Sequence, residues 1–212
     1  MILAACSSGG SHPSASTATS IPASTSTTTS PGEVTTAAPV TTAPGAPTTR
    51  APAVTTTVAC AGAGGSTAPF TTPAPNAPAL LTSVTVTSAG CTDRLIFGFI
   101  VKTGGTPGCR VAYAKGPFSQ DATGATVTVL GAAFVVVRCS PAYGYDFESG
   151  RTTYTGPKRI TPARTQHVRE IVETGDNEGV LTWVVGLDSQ RPFRVIPTTV
   201  PPGVSTLAIT FS

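Results

Sequence analysis

The sequence has few of the side chains that carry enzyme chemistry. It contains two histidines, one tryptophan and one methionine, and charged residues make up 11% of its 212 positions. A catalytic zinc site needs several His or carboxylate ligands around an open position, whereas the chain after residue 78 has a single histidine, His167. The Gly-x-Ser-x-Gly elbow of serine hydrolases is also missing. We therefore expect a protein that is not an enzyme and that needs no metal and no cofactor.

Charge and aromatic residues are scarcest in the first part of the chain. Before Ala79 the only charged residues are Glu33 and Arg50, and the only aromatic residue is Phe70. A segment built almost wholly of Ser, Thr, Ala, Pro, Gly and Val cannot bury enough surface to offset the entropy cost of ordering it. We therefore predict a long disordered linker over residues 7–78, followed by one folded domain over residues 79–212.

Basic residues are not concentrated on any stretch. The formal net charge is +3, and the only short basic cluster is Lys158-Arg159. Nucleic-acid binding requires Lys and Arg gathered on one face, usually with stacking aromatic residues between them. The sequence therefore predicts no nucleic-acid partner.

The first six residues resemble the end of a bacterial lipoprotein signal. In Leu3-Ala-Ala-Cys6 the small residues would allow cleavage before Cys6, whose thiol would then carry a lipid. Only five residues precede Cys6, too few for a basic region and an apolar region, so residues 1–6 are interpreted as a truncated signal remnant with a lipobox. The expectation is an exported protein, lipid-anchored to the cell membrane and facing the cell wall. A chance match in a cytosolic protein is the alternative.

The cysteine count agrees with export. The chain has five cysteines, and assigning Cys6 to lipid leaves an even set of four: Cys60, Cys91, Cys109 and Cys139. Four cysteines allow three pairings, among which the sequence does not choose. Two disulfides and free buried thiols both remain open, whereas the lack of close ligand pairs argues against zinc.

The stretch from Gly175 to Val195 holds the only tryptophan, Trp183. Its apolar run Val180–Val185 is bounded by glycines and too short for a helix, which predicts a strand buried on both faces. A turn at residues 186–190 and a second strand at Pro192–Ile196 complete a predicted hairpin. Its charged end is either simply solvated or a polar rim beside a partly exposed Trp183.

Further apolar runs predict additional strands joined by Gly and Pro turns. Leu95, Phe97, Phe99 and Val101 share one face of a run whose other face carries Ile96 and Ile100, which predicts a strand in the middle of a sandwich. A Gly-rich turn after it predicts a hairpin with residues 110–114. Runs at 134–137 and 207–211 are strands, and 167–173 fits a helix or a strand, with its neighbours favouring a strand. The whole pattern predicts an all-β sandwich of about nine strands and no helix.

The longest irregular piece lies between Ser140 and Pro162. It carries four aromatic residues, Tyr143, Tyr145, Phe147 and Tyr154. Long ordered loops of compact domains are often functional. The simpler interpretation is that these rings cap one open end of the sandwich.

Five pieces of this domain resemble the AMIN-like domain of actinobacterial lipoproteins. They begin at Asp93 (DRLIF), Pro107 (PGCRVAY), Tyr154 (YTGPKR), Val168 (VREIVETGD) and Gly179 (GVLTWVVGLDSQRPFRV), and they occur in the expected order. The family is related to the AMIN module, which targets cell-wall amidases within the envelope. The resemblance implies a β-sandwich that binds envelope components, with peptidoglycan the leading candidate, and it implies no amidase activity because the hydrolytic domain is separate.

Two function classes follow from these observations. The first is a non-catalytic module that binds cell-wall glycan or peptidoglycan, in which aromatic rings stack on sugars and cations bind carboxylates. Its candidate ligand-binding residues are Tyr154, Lys158, Trp183 and Arg191. The second is a structural lipoprotein that binds another envelope protein through a strand or a loop. A glycosidase using Asp146 with Glu148, or Asp176 with Glu178, is a third and weaker hypothesis.

Overall fold

Fifteen β-strands and no helix make up the part of the chain that the structure describes. The structure is a computed structural model, and it describes residues 64–74, 77–200 and 202–212. The strands are β1 (Phe70–Thr71), β2 (Ala79–Ala89), β3 (Thr92–Val101), β4 (Cys109–Ala114), β5 (Phe118–Ser119), β6 (Thr126–Val127), β7 (Ala133–Cys139), β8 (Ala142–Tyr143), β9 (Tyr145–Asp146), β10 (Arg151–Thr152), β11 (Arg159–Ile160), β12 (Val168–Asn177), β13 (Val180–Leu187), β14 (Phe193–Val200) and β15 (Val204–Phe211). Across these ranges, no helix is long and apolar enough to cross a membrane.

The predicted all-β class is confirmed, although the number of strands is larger than the predicted nine. Seven of the fifteen strands are only two residues long. Such short pieces cannot show an alternation of apolar and polar residues, because the pattern needs at least four positions to be visible.

Two large sheets face each other. The first has six strands in the order β1-β4-β7-β13-β12-β11, and the second has five in the order β14-β15-β3-β2-β8. Two small ladders, β9 with β10 and β5 with β6, complete the structure. Neighbouring strands are antiparallel except for β2 and β8, which are parallel. The inward faces of the two large sheets enclose one main hydrophobic core.

Strand β13 lies at the centre of this core, between β7 and β12. The Trp183 side chain points inward and is 1% exposed, and its ring lies 6.0 Å from that of Phe97 on the opposite sheet. On the outer face Val184 packs with Val129 and Val172 in a second cluster. The predicted strand buried on both faces is therefore confirmed.

Strand β3 is central in its sheet, but only one of its faces is covered. Leu95, Phe97 and Phe99 point into the core and are almost fully buried. Ile100, on the other face, remains 40% exposed. Strand β3 therefore lies in the middle of its sheet with one face in the core, as predicted, although the apolar residue Ile100 on its other face stays partly exposed.

Both predicted hairpins are wrong in the same way. Strand β3 belongs to the five-stranded sheet and β4 to the six-stranded sheet, so the Gly-rich turn between them crosses from one sheet to the other. The segment after β13 likewise crosses over, because β14 pairs with β15. Strands that follow each other in a sandwich often change sheets, and turn composition alone does not distinguish such a crossing from a hairpin.

Residues 64–74, which belong to the predicted linker, contact the folded domain. Strand β1 pairs with β4, placing Phe70 opposite Val111, and Ser66 exchanges two backbone hydrogen bonds of 3.0 Å with Phe193. These contacts are mostly backbone hydrogen bonds, so composition gave no sign of them. The predicted signal remnant with Cys6, and residues 7–63 and 75–76 of the predicted linker with Cys60, lie outside the described residues.

A disulfide joins neighbouring strands of the six-stranded sheet. Cys109 on β4 bonds Cys139 on β7, with the two Cα atoms 4.0 Å apart. The two residues are direct register partners. Cys91 is also disulfide-bonded.

Candidate ligand-binding groove

The irregular segment after β7 forms one end of the sandwich and is held by backbone hydrogen bonds. Strand β8 pairs with the start of β2, and the N–H of Ala142 donates to the carbonyl of Gly179 at 3.0 Å. The carboxylate of Asp176 accepts a hydrogen bond from the N–H of Gly144 at 3.0 Å. Side-chain space is restricted here, since a Cβ atom on Gly179 would lie 2.9 Å from the Tyr143 hydroxyl. The loop is therefore positioned by the β12–β13 turn beneath it.

This loop presents an exposed aromatic ring. Phe147 is 70% exposed, although an apolar side chain of this size gains free energy from burial. Its ring lies edge-to-face against Tyr143, with centroids 4.9 Å apart, and against Tyr145, with centroids 5.1 Å apart. The two tyrosine rings restrict the orientation of the Phe147 side chain but leave most of its ring exposed.

Three charged side chains line the same depression as the ring of Phe147. The ammonium group of Lys102 lies 3.3 Å from both carboxylate oxygens of Asp146 and 2.5 Å from Oε2 of Glu148. Glu148 and, less strongly, Asp146 raise the pKa of Lys102. The hydroxyl of Ser149 and the cation of Lys102 lower the pKa of Asp146. The ammonium group of Lys102 is therefore shared between the carboxyl groups of Asp146 and Glu148.

Phe147 and the three charged residues line a groove of about 340 Å³. Its walls are mostly apolar with a few polar groups, which is the composition typical of sites for small organic ligands. The lining residues are Ala77, Pro78, Leu80, Lys102, Thr103, Tyr143, Asp146, Phe147 and Glu148. The sequence pointed to the aromatic residues of this loop, but nothing in it marked Lys102, which reaches the site from the end of β3.

Three of the four predicted ligand-binding residues come together below this end of the sandwich. The rings of Tyr154 and Trp183 lie 5.6 Å apart, edge-to-face. The ammonium group of Lys158 lies 2.8 Å from a carboxylate oxygen of Glu173, the register partner of Trp183. Burial raises the pKa of Glu173, and the bond from Lys158 partly offsets this.

The predicted role of the two aromatic residues is wrong. Tyr154 is 7% exposed and Trp183 is 1% exposed, so neither can stack on a sugar. Both rings belong to the hydrophobic core. Lys158 keeps a side chain that is 72% exposed and is the one member of this group that reaches the surface.

In a comparison with models of known families, residues 79–207 match the AMIN-like domain. The match covers well over half of the chain. The chain belongs to the AMIN-like family. Members of this family are modules associated with the cell wall and are in general non-catalytic. No curated protein and no solved structure matches the chain.

The fourth predicted residue, Arg191, lies elsewhere in the AMIN-like domain. It follows the end of β13 that is farther from the groove, where its guanidinium donates to both carboxylate oxygens of Asp188 at 2.9 Å and 3.0 Å. This bond lowers the pKa of Asp188 to about 2. The backbone of Arg191 also bonds the hydroxyl of Tyr113, which accepts from its N–H and donates to its carbonyl. These contacts hold the segment that leads from β13 to β14 in the other sheet. Arg191 does not line the groove.

The only histidine of the described AMIN-like domain has structural contacts. His167 is 8% exposed, and its Nε2 lies 3.0 Å from the carbonyl of Cys91. The backbone N–H of His167 donates to the fully buried carboxylate of Asp93, which also accepts from Gln166 and Val168. Asp93 thus joins β3 of one sheet to the start of β12 in the other.

The carboxylates considered for a glycosidase are occupied by structural contacts in three of four cases. Asp146 and Glu148 share the cation of Lys102, and Asp176 caps Gly144. Glu178 lies in the β12–β13 turn with a φ of 49°. No group of three or more potential metal ligands occurs among residues 64–74, 77–200 and 202–212.

Proposed function

We propose that this protein is a non-catalytic lipoprotein of the cell envelope whose AMIN-like domain binds peptidoglycan in the groove beside Phe147. The membership of the AMIN-like family supports association with the cell wall. A lipid on Cys6 would anchor the chain to the membrane, and the Thr- and Pro-rich linker would let the domain reach the wall. The observation that carries the choice of site is the exposed ring of Phe147 beside Lys102, Asp146 and Glu148.

The groove offers the two kinds of contact that a glycan with short peptides requires. An exposed aromatic face packs against the apolar C–H face of a sugar ring. Carboxylates of Asp146 and Glu148 accept hydrogen bonds from hydroxyl and amide groups, and Lys102 can donate to a ligand carboxylate. The network within the protein holds these groups in place before the ligand arrives, which reduces the entropy cost of binding.

The test is a pelleting assay with purified insoluble peptidoglycan and the full chain. Phe147→Ala should weaken binding by about tenfold or more, since it removes one exposed aromatic contact. Leu130→Ala is the matched control, because Leu130 is a large apolar side chain that is also exposed but does not line the groove. Both variants should unfold at nearly the wild-type temperature. Equal sedimentation of wild type and Phe147→Ala would refute the proposed site.

A second candidate function, binding to another envelope protein, is favoured by a different surface. On the outer face of the five-stranded sheet, Ile100, Val204 and Val200 are consecutive register partners and all are exposed. Contiguous apolar surface of this kind is typical of protein contacts. Strand addition at β14 is less favourable, because Pro197 within this edge strand has no N–H to donate.

Crosslinking in intact cells separates the two functions. A photoreactive residue at position 147 should form adducts with glycan if peptidoglycan is the ligand. A photoreactive residue at position 204 should form adducts with a protein if the second function is correct. The same residue at position 130 provides the background level for both.

A further inference from the structure

Two arginines lie directly opposite each other on the outer face of the six-stranded sheet. Arg110 on β4 is the register partner of Arg138 on β7, and both are exposed. The adjacent register pair is the Cys109–Cys139 disulfide, whose side chains are buried. Side chains alternate between the two faces of a strand, so the inward disulfide holds the register that brings the two guanidinium groups to the same side.

This arrangement is unfavourable for an isolated protein. Cβ atoms of direct cross-strand partners are about 5 Å apart, and like charges at such positions destabilise the sheet. Neither guanidinium has an ion pair or a side-chain hydrogen bond within the described part of the chain. Gly175 lies in the same row of register partners across the sheet as Arg110 and Arg138. The carboxylate of Asp121 lies over Gly175. Gly175 is separated from Arg138 by β13, so this carboxylate does not neutralise the pair.

Polar groups and a shallow depression surround the pair. Thr71 is the register partner of Arg110 on one side, and Thr182 is the register partner of Arg138 on the other. A depression of about 400 Å³ opens beside the arginines, with the segment 71–74, Gly108 and Ser140 as its wall. Gly108 is closely covered, because a Cβ atom there would lie 2.5 Å from the Cα of Ala74. The ordered residues before β2 therefore form one side of the depression.

We propose that Arg110 and Arg138 bind a phosphate group carried by an envelope polymer or lipid. Two guanidinium groups present more donors than the two oxygens of one carboxylate can accept, whereas a phosphate has additional oxygens in a tetrahedral arrangement. Bound phosphate would also supply the negative charge that Arg110 and Arg138 lack as partners. This site shares no residue with the groove beside Phe147, so it is a second binding function of the domain.

The first experiment titrates the full chain with inorganic phosphate, against chloride at equal ionic strength. The side-chain Nε–H signals of arginine are followed by NMR. We expect shifts of two arginine signals with a dissociation constant on the order of 1 mM. Arg138→Gln and Arg110→Gln should each weaken binding by about tenfold or more. Arg164→Gln is the matched control. Arg164 is also exposed, and its substitution removes the same charge at a site away from the arginine pair.

Thermal unfolding provides a second measurement that does not depend on NMR. Without phosphate, Arg138→Gln should be as stable as the wild type or more stable, because the like-charge contact is relieved. Phosphate should raise the unfolding temperature of the wild type and of Arg164→Gln but not that of Arg138→Gln. Equal effects of phosphate on all variants would overturn the proposal, since binding would then be non-specific.

Two further probes identify the source of the phosphate. A soluble glycerol phosphate oligomer tests a wall polymer, and phosphatidylglycerol vesicles, compared with phosphatidylcholine vesicles, test a lipid headgroup. Binding of either probe that is lost in Arg138→Gln supports the site and names its source. Binding of neither probe overturns the assignment to an envelope-borne phosphate. The peptidoglycan assay with Phe147→Ala is independent of these outcomes.

Discussion

Asp93 offers a direct test of how the two sheets are joined. Its carboxylate is fully buried and accepts three backbone hydrogen bonds: from Gln166 at 2.9 Å on Oδ1, and from His167 at 2.6 Å and Val168 at 2.8 Å on Oδ2. Burial alone would raise the pKa of Asp93, but the three N–H donors together lower the pKa below its ordinary value. The folded state thus favours the charged carboxylate.

The substitution Asp93→Asn keeps the shape and removes the charge. If the amide oxygen takes the Oδ2 position, two hydrogen bonds survive in weaker, neutral form, while the amide N–H₂ faces the N–H of Gln166. An unsatisfied buried donor costs about 1–3 kcal/mol, and each charge-assisted bond loses part of its strength. We expect a loss of about 3 kcal/mol in the free energy of unfolding at pH 7, or roughly 6–12 °C in the unfolding temperature.

The pH dependence separates the charge from other effects of the substitution. A carboxyl whose pKa is lowered on folding stabilises the protein above its unfolded pKa and loses this contribution as the pH falls through the folded pKa. The difference between wild type and Asp93→Asn should therefore be constant from pH 7 to about pH 5 and shrink below about pH 4.

Urea unfolding of the full chain, followed by Trp183 fluorescence, measures this difference. Asp146→Asn is the control, because Asp146 also has a lowered pKa but lies in the exposed cluster with Lys102. Its effect on the free energy of unfolding should be much smaller than that of Asp93→Asn, because solvent screens an exposed ion pair. A cost for Asp93→Asn below about 0.5 kcal/mol at pH 7, or one that does not change with pH, would refute the reasoning.

Two other predictions concern the end of the sandwich below the groove. Glu178 has a φ of 49° and Gly179 one of 78°. Because Asn adopts a positive φ more readily than Glu, Glu178→Asn should raise the free energy of unfolding in urea by about 0.5–1 kcal/mol. A less stable variant would show that the backbone of Glu178 is not strained. Lys158→Met leaves the buried carboxylate of Glu173 without its cation and should cost about 1–2 kcal/mol at pH 7, a figure reduced because the ammonium group is largely exposed. The pKa of Glu173 is already raised, so stability falls as the pH rises through this pKa, and the cost of Lys158→Met should be smaller at pH 4 than at pH 7. Lys115→Met, at an exposed position, is the control, and a cost of Lys158→Met that did not depend on pH would contradict the assigned pair.

The candidate groove could be anticipated only in part. The aromatic residues of the segment after β7 were visible because rings rarely accumulate in irregular segments. Their partner Lys102 was not, since it lies 44 residues from Asp146 in the chain. The exposure of each ring also depends on packing: Phe147 remains at the surface, whereas Tyr154 and Trp183 enter the core.

The sequence by itself determined the all-β class, the main core strands and the AMIN-like family. These follow from local information, because alternation of apolar residues reports which strand faces are buried and because the family motifs are contiguous. Only the tertiary structure decided that β4 lies in a different sheet from β3, and β14 in a different sheet from β13. It also decided which cations are paired and which, like Arg110 and Arg138, are left opposite each other. Such features depend on residues that are distant in the chain, and the energy of a pair is set by the distance and burial that only the folded chain provides.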